Sequence, residues 1–176
     1  MNLVIPEKTV AVDPPQESVS ERRYPRIGGV LIFVAIGLFI SLIQNLTYFL
    51  ASLLPVVRKP LWEALTNPAS SAYHSYWKPF LVYEFAASLF LLLTNLVVLV
   101  LFFLKKSWFP KTIVALLPTI FILTLVSYYF SSSIPAMAES ADYAKQGTTL
   151  IIRFIGLHIW IPYFLLSKRV KTTFVR

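Results

Sequence analysis

Two charged side chains stand inside otherwise apolar stretches of this sequence, and charges in such places are candidates for chemistry. Glu84 lies in LVYEFAASLFLLLTNLVVLVLFFL and Arg153 lies in TLIIRFIGLHIWIPYFLL. An unpaired charge in an apolar medium is costly, so a carboxylate and a guanidinium at similar depth are expected to form an ion pair. Such a pair is either a structural clamp or a proton or ligand site. The third alternative is that each side chain extends independently to a nearby aqueous interface.

Polar residues at helical spacing accompany the two charges. At 100° per residue, Glu84 and Ser88 share a helix face with Asn95, and a second stripe of small and polar residues passes through Gln44. The candidate polar interior consists of Gln44, Asn45, Ser88, Asn95 and His158. Residues of this kind commonly serve helix packing, and the alternative is a cavity that binds a small ligand or a lipid headgroup. His158 is either a hydrogen-bonded core histidine or a proton relay.

The residue types needed for enzymatic chemistry are scarce. The chain has no cysteine, and its two histidines, His74 and His158, lack the spacing of a metal site. No glycine-rich phosphate loop, nucleophile elbow or paired-carboxylate arrangement is present. We therefore predict a non-enzymatic protein without a cofactor.

Four apolar runs must position these residues. Hydrophobic residues make up 57% of the chain and charged residues 14%, against about 25% charged residues in soluble domains. The runs cover about 28–54, 81–104, 112–130 and 149–166, and each is close to the ~20 residues that a transmembrane helix needs. Glu84 and Arg153 each follow the start of a run by about a turn. Because the second and fourth runs cross in the same direction, we expect the two charges at matching depth.

The predicted fold is an all-α, integral membrane bundle of four transmembrane helices. The helical domain covers 27–167, after a mobile tail at 1–26 and before a basic tail at 168–176. In the first long loop, Pro60 suits a helix start and Asn67-Pro68 suits a stop, and tryptophan and tyrosine residues lie nearby. This pattern predicts a short interfacial helix there.

Lysine and arginine residues are unevenly distributed between the two sides of the predicted bundle. Ten flank the helix ends on the side of both termini, and four lie on the other side. By the positive-inside rule, both termini are predicted to be cytoplasmic. This asymmetry explains most of the net charge of +8, so we expect no nucleic-acid partner. The residues after the fourth run are either a topology anchor or a contact for anionic lipid headgroups: Lys168, Arg169, Lys171 and Arg176.

The phrase IWIPYFLLSKRVKTTF resembles the C-terminal signature of the family called domain of unknown function 2569. Ile27-Gly28-Gly29, the stretch from Glu84 to Asn95 and the phrase FFLKKSWFP are similar to its other segments. The resemblance covers about 27–174. It implies four transmembrane helices in a bacterial inner membrane, and it brings no established activity, cofactor or catalytic residue.

Two functions follow as hypotheses. The first is a structural, accessory or partner-binding role in the membrane. The alternative is a small transporter, or a protein that binds a lipid or small ligand in a polar interior near Glu84 and Arg153. A dry, packed interior would favour the first hypothesis. A polar cavity that reaches both charges would favour the second.

Overall fold

This computed structural model describes residues 27–58 and 60–175. The predicted mobile tail at 1–26 and the lipid contact predicted for Arg176 therefore lie outside the described residues. Within them the chain forms α-helices and one π-helix. The elements are α1 (Val30–Thr47), the π-helix (Tyr48–Leu53), α2 (Leu54–Val56), α3 (Leu61–Thr66), α4 (Trp77–Phe103), α5 (Trp108–Ser133), α6 (Pro135–Ala138), α7 (Ala141–Leu166) and α8 (Lys168–Thr173).

Four helical stretches are long and apolar enough to cross a membrane: Val30–Val56, Trp77–Phe103, Trp108–Ser133 and Ala141–Leu166. Continuous runs of Leu, Val, Ile and Phe favour helices in a bilayer, because a helix satisfies every backbone polar group within one segment. The outer surfaces of these stretches are strongly apolar, and Phe33, Ile43 and Ile151 each expose more than half of their side-chain area. The prediction of an all-α fold with four membrane-spanning helices is confirmed. The short helix in the first loop is α3.

The helices extend beyond the apolar runs. α7 begins at Ala141, eight residues before the predicted start at 149, and its first two turns are polar. Asp142 lies in the first turn, where a negative charge is favourable to the helix dipole, and it pairs with Lys145 at 2.9 Å. Hydropathy detects the part of a helix that faces lipid. It therefore underestimates the length of a helix that continues past the membrane.

The four long stretches pack in a defined order. α4 packs against α1 and α5, and α7 packs against α5. In the part of the chain that the structure describes, α1 and α7 share no extended interface. The order is therefore α1, α4, α5, α7, with α5 separating α4 from α7.

One end of the bundle, here called the tail end, contains the start of α1, the α4–α5 turn and α8. A buried apolar core closes this end, and its members are Leu31, Val34, Leu38, Val98, Phe102, Phe109, Ile113, Leu116, Phe164, Val170 and Phe174. Phe109 stacks on Phe174 with ring centroids 4.5 Å apart. The stretch after α7 is thus a short helix whose apolar side completes the core. Its basic side chains, at Lys168, Arg169 and Lys171, stay exposed.

The opposite end, here called the loop end, carries α3 and α6. Phe80, Leu81 and Ile134 are buried there, and Trp62, Leu65 and Met137 pack against them. This smaller cluster joins both connecting loops to α4. The interior between the two clusters is where the polar residues gather.

Candidate functional site

A cavity of about 550 Å³ lies between the two apolar clusters. α1 with its π-helix forms one wall, α7 forms the opposite wall, and α4 and α5 lie between them. α1 and α7 share no extended interface among the described residues, and side chains from both helices line the cavity. Its polar and charged lining residues are Gln44, Asn45, Tyr48, Ser52, Glu84, Ser88, Thr124, Ser127, Ser131, Gln146, Thr149 and Arg153.

Glu84 is buried in the wall formed by α4, with 8% of its surface exposed. The Tyr48 hydroxyl donates a hydrogen bond to Glu84 Oε2 at 2.8 Å, and the Ser127 hydroxyl donates to Oε1. Tyr48 is the first residue of the π-helix, a rare conformation that is frequent at functional sites. The acidic side chain therefore connects α4 to the π-helix and to α5.

Arg153 faces the cavity from α7. Its Nη1 donates to the Thr124 hydroxyl and, at 3.4 Å, to the carbonyl oxygen of Ile120. Thr124 in turn donates to the same Ile120 carbonyl at 2.8 Å. Nε and Nη2 of Arg153 have no hydrogen-bond partner within the described ranges. The guanidinium is thus anchored through one nitrogen and retains donors for another partner.

The direct Glu84–Arg153 ion pair predicted from the sequence is not formed. Within 27–58 and 60–175, the two side chains bind different residues of α5, which lies between their helices. Arg153 also lies further along its helix than expected, about 18 Å from the start of α7, whereas Glu84 lies about 11 Å from the start of α4. Both charges nevertheless border the same cavity. Each is solvated by hydroxyl groups instead of by the other charge.

The structure places the other candidate residues in different environments. Gln44, Asn45 and Ser88 line the cavity. Asn95 is buried nearer the tail end, where its Nδ2 donates to the Ser41 hydroxyl and connects α4 to α1. His158 does not join the polar interior. Its exposed ring lies beside Phe154, with Nδ1 2.9 Å from the Phe154 carbonyl oxygen, because five residues of helix rotate it away from Arg153.

The hydroxyl residues that α5 contributes to the cavity were not predicted from the sequence. Thr124, Ser127 and Ser131 line the cavity with the i, i+3, i+7 spacing of one helix face. That spacing was a readable signal in TLVSYYFS, although serine and threonine in membrane helices commonly serve packing. Ser88, Ser131 and Gln146 each bury a side-chain oxygen that has no hydrogen-bond partner among the described residues. Buried polar oxygens of this kind normally have a partner.

The basic residues lie at the tail end. Lys168, Arg169 and Lys171 project from α8, on the same end as the exposed Lys106 and Lys111. The Arg169 guanidinium covers Gly29, which adopts φ +57° at the start of α1, and a Cβ atom at that position would lie 2.6 Å from Nη1. The C-terminal basic segment is therefore packed onto the bundle at a position that requires glycine.

Comparisons with known proteins give one match. The family model described as "Protein of unknown function (DUF2569)" matches residues 24–175. No curated protein and no solved structure matches this chain significantly.

Proposed function

This chain belongs to the DUF2569 family of proteins of unknown function, and we propose that it is a membrane-embedded binding protein whose ligand occupies the polar cavity. One observation supports this function above the others. Glu84 and Arg153 both face a space of about 550 Å³ and do not neutralise each other. Keeping opposite charges apart in an apolar surrounding is costly, and intramembrane charges of this kind commonly mark ligand or ion sites.

A dry, packed interior was expected to favour the structural or partner-binding hypothesis, and a polar cavity reaching both charges to favour the binding hypothesis. The cavity combines apolar side chains with hydroxyl, amide and charged groups, and it borders both Glu84 and Arg153. Transport would in addition require the tail-end core around Phe102 and Phe109 to open. This arrangement supports a binding role without catalysis.

The surroundings of the chain follow from its charges and its family. The four apolar helices indicate a multi-pass membrane protein. We place it in a bacterial inner membrane, as the sequence resemblance to the family implies. The uneven distribution of lysine and arginine supports an orientation with both termini in the cytoplasm. In this orientation Lys168, Arg169 and Lys171 meet anionic lipid headgroups at the cytoplasmic face.

Filling the cavity tests the binding role whatever the identity of the ligand. Ala87 lines the cavity, whereas the neighbouring Ala86 is exposed on the outside of α4 and provides a matched control. Wild-type protein, Ala87→Trp and Ala86→Trp are purified in mild detergent from the native host, and their bound small molecules and lipids are quantified by mass spectrometry. We expect Ala87→Trp to lose a molecule that the other two retain. Equal contents in the two variants would contradict the proposed function.

A further inference from the structure

The two charges of the cavity occupy neighbouring positions along α5. Glu84 accepts from Ser127, and Arg153 donates to Thr124, three residues earlier on the same face of that helix. Three residues correspond to about 4.5 Å along a helix axis. The cavity thus presents an anionic and a cationic group whose hydrogen-bond partners on α5 lie within one helical turn of each other.

Each charged group retains capacity for one more partner. The free Nε and Nη2 of Arg153 belong to a planar guanidinium, whose geometry matches a phosphate or a carboxylate. Each oxygen of Glu84 takes a single hydrogen bond within the described ranges, although a carboxylate has about four acceptor positions.

A ligand with a single charge would satisfy only one of these sites. It would neutralise Arg153 or Glu84 and leave the other charge desolvated, which is the costly arrangement for buried ions. A ligand with both charges neutralises both. We infer that the cavity binds a zwitterion, with its phosphate or carboxylate on Arg153 and its ammonium on Glu84. This inference rests on the proposed function and names its ligand class.

A zwitterionic ligand could come from two sources. One is the headgroup of a zwitterionic phospholipid from the surrounding bilayer. The other is a free zwitterion from the aqueous phase. The exposed side chains of Gln44 and Ser52 at the edge of the cavity suit a ligand that keeps a polar portion at the opening.

The test measures binding to the purified full-length protein in detergent micelles by calorimetry. The zwitterionic probes are glycerophosphoethanolamine and dihexanoyl phosphatidylethanolamine, and their matched anionic controls are glycerophosphoglycerol and dihexanoyl phosphatidylglycerol. We expect a zwitterionic probe to bind about tenfold more tightly than its anionic control, the equivalent of one charged hydrogen bond. Tighter binding of the lipid probe assigns a membrane source, and tighter binding of glycerophosphoethanolamine assigns an aqueous source.

Glu84→Gln is the discriminating variant because it removes the charge with little change in size. The amide oxygen can still accept from one of the Tyr48 and Ser127 hydroxyls, and the amide N–H can donate to the other hydroxyl oxygen. It should lose the preference for the zwitterion and keep its affinity for the anionic lipid, which a general folding defect would not produce. Arg153→Lys keeps the positive charge but loses the paired N–H donors of the guanidinium. It should therefore weaken the binding of both lipids. Equal affinity for the zwitterionic and the anionic probe of both pairs in wild type, or a preserved preference in Glu84→Gln, would overturn the inference.

The two proposals fail in different ways. If no zwitterionic probe binds while Ala87→Trp still loses a bound molecule, the zwitterion inference is wrong and the binding role stands. If Ala87→Trp and Ala86→Trp also have equal contents, both proposals are wrong.

Discussion

Glu84 is the residue on which most of the polar interior converges. Its carboxyl group receives hydroxyl donors from the π-helix and from α5, so three segments of the chain meet at one side chain. Hydrogen bonds between membrane helices contribute modestly on average, about 0.6 kcal/mol, because alternative partners exist in the unfolded state. Bonds to a charged group are stronger, about 1.5–3 kcal/mol. The network around Glu84 therefore contributes to stability as well as shaping the site.

Removing one donor tests this network. Tyr48→Phe deletes the hydroxyl that binds Oε2 and leaves the ring in place, and we expect it to lower the free energy of unfolding by about 0.5–2 kcal/mol. Tyr129→Phe is the matched control, because Tyr129 is 61% exposed on the outside of α5. The measurement is thermal unfolding in detergent, combined in a double-mutant cycle with Glu84→Leu, which has a similar size and no hydrogen-bonding group. Additive effects of Tyr48→Phe and Glu84→Leu would show that the hydrogen bond contributes nothing.

Among the elements, α8 has the most unexpected role. Ser167 caps its first turn, with its hydroxyl accepting from the Val170 backbone N–H, and α8 buries Val170 and Thr173 against the tail end. Phe174 follows directly and packs on Phe102 and Phe109. A six-residue helix is too short to be stable alone, so its conformation depends on this packing.

Shortening Phe174 should therefore release α8. We expect Phe174→Ala to destabilise the protein by about 3 kcal/mol, as is usual for a buried phenylalanine, and to make the segment after Ser167 sensitive to protease. Val175→Ala is the control, since Val175 is 51% exposed. The measurements are the thermal midpoint in detergent and limited proteolysis followed by mass spectrometry. Equal protease resistance in the two variants would show that Phe174 does not hold α8.

The existence of the four long helices could be predicted from sequence, but the arrangement of their charges could not. Apolar runs of about 20 residues report the hydrocarbon that surrounds a helix. They carry no information on neighbours, and the position of α5 between α4 and α7 decides that Glu84 meets Ser127 and Arg153 meets Thr124. The polar first turns of α7 could not be predicted from hydropathy, because hydropathy does not detect a helix outside the bilayer. α8 could not be predicted because its conformation depends on tertiary contacts.

At the scale of the whole molecule, the two ends of the bundle differ in charge and in packing. The tail end is basic and closed by aromatic residues, whereas the polar cavity lies toward the loop end. This polarity connects the proposed orientation to the proposed function. With the tail end in the cytoplasm, the cavity is reached from the outer half of the membrane, and a ligand approaches from the lipid or from the outer aqueous side.

The orientation can be tested directly because the chain has no cysteine to give background labelling. Ser107→Cys places a thiol in the α4–α5 turn at the tail end, and Asn67→Cys places one after α3 at the loop end; both positions are exposed. A membrane-impermeant maleimide added to intact spheroplasts should label Asn67→Cys and leave Ser107→Cys unmodified. Both should react after permeabilisation. If intact spheroplasts instead showed labelling of Ser107→Cys alone, the proposed orientation would be wrong. The cavity would then lie toward the cytoplasmic side.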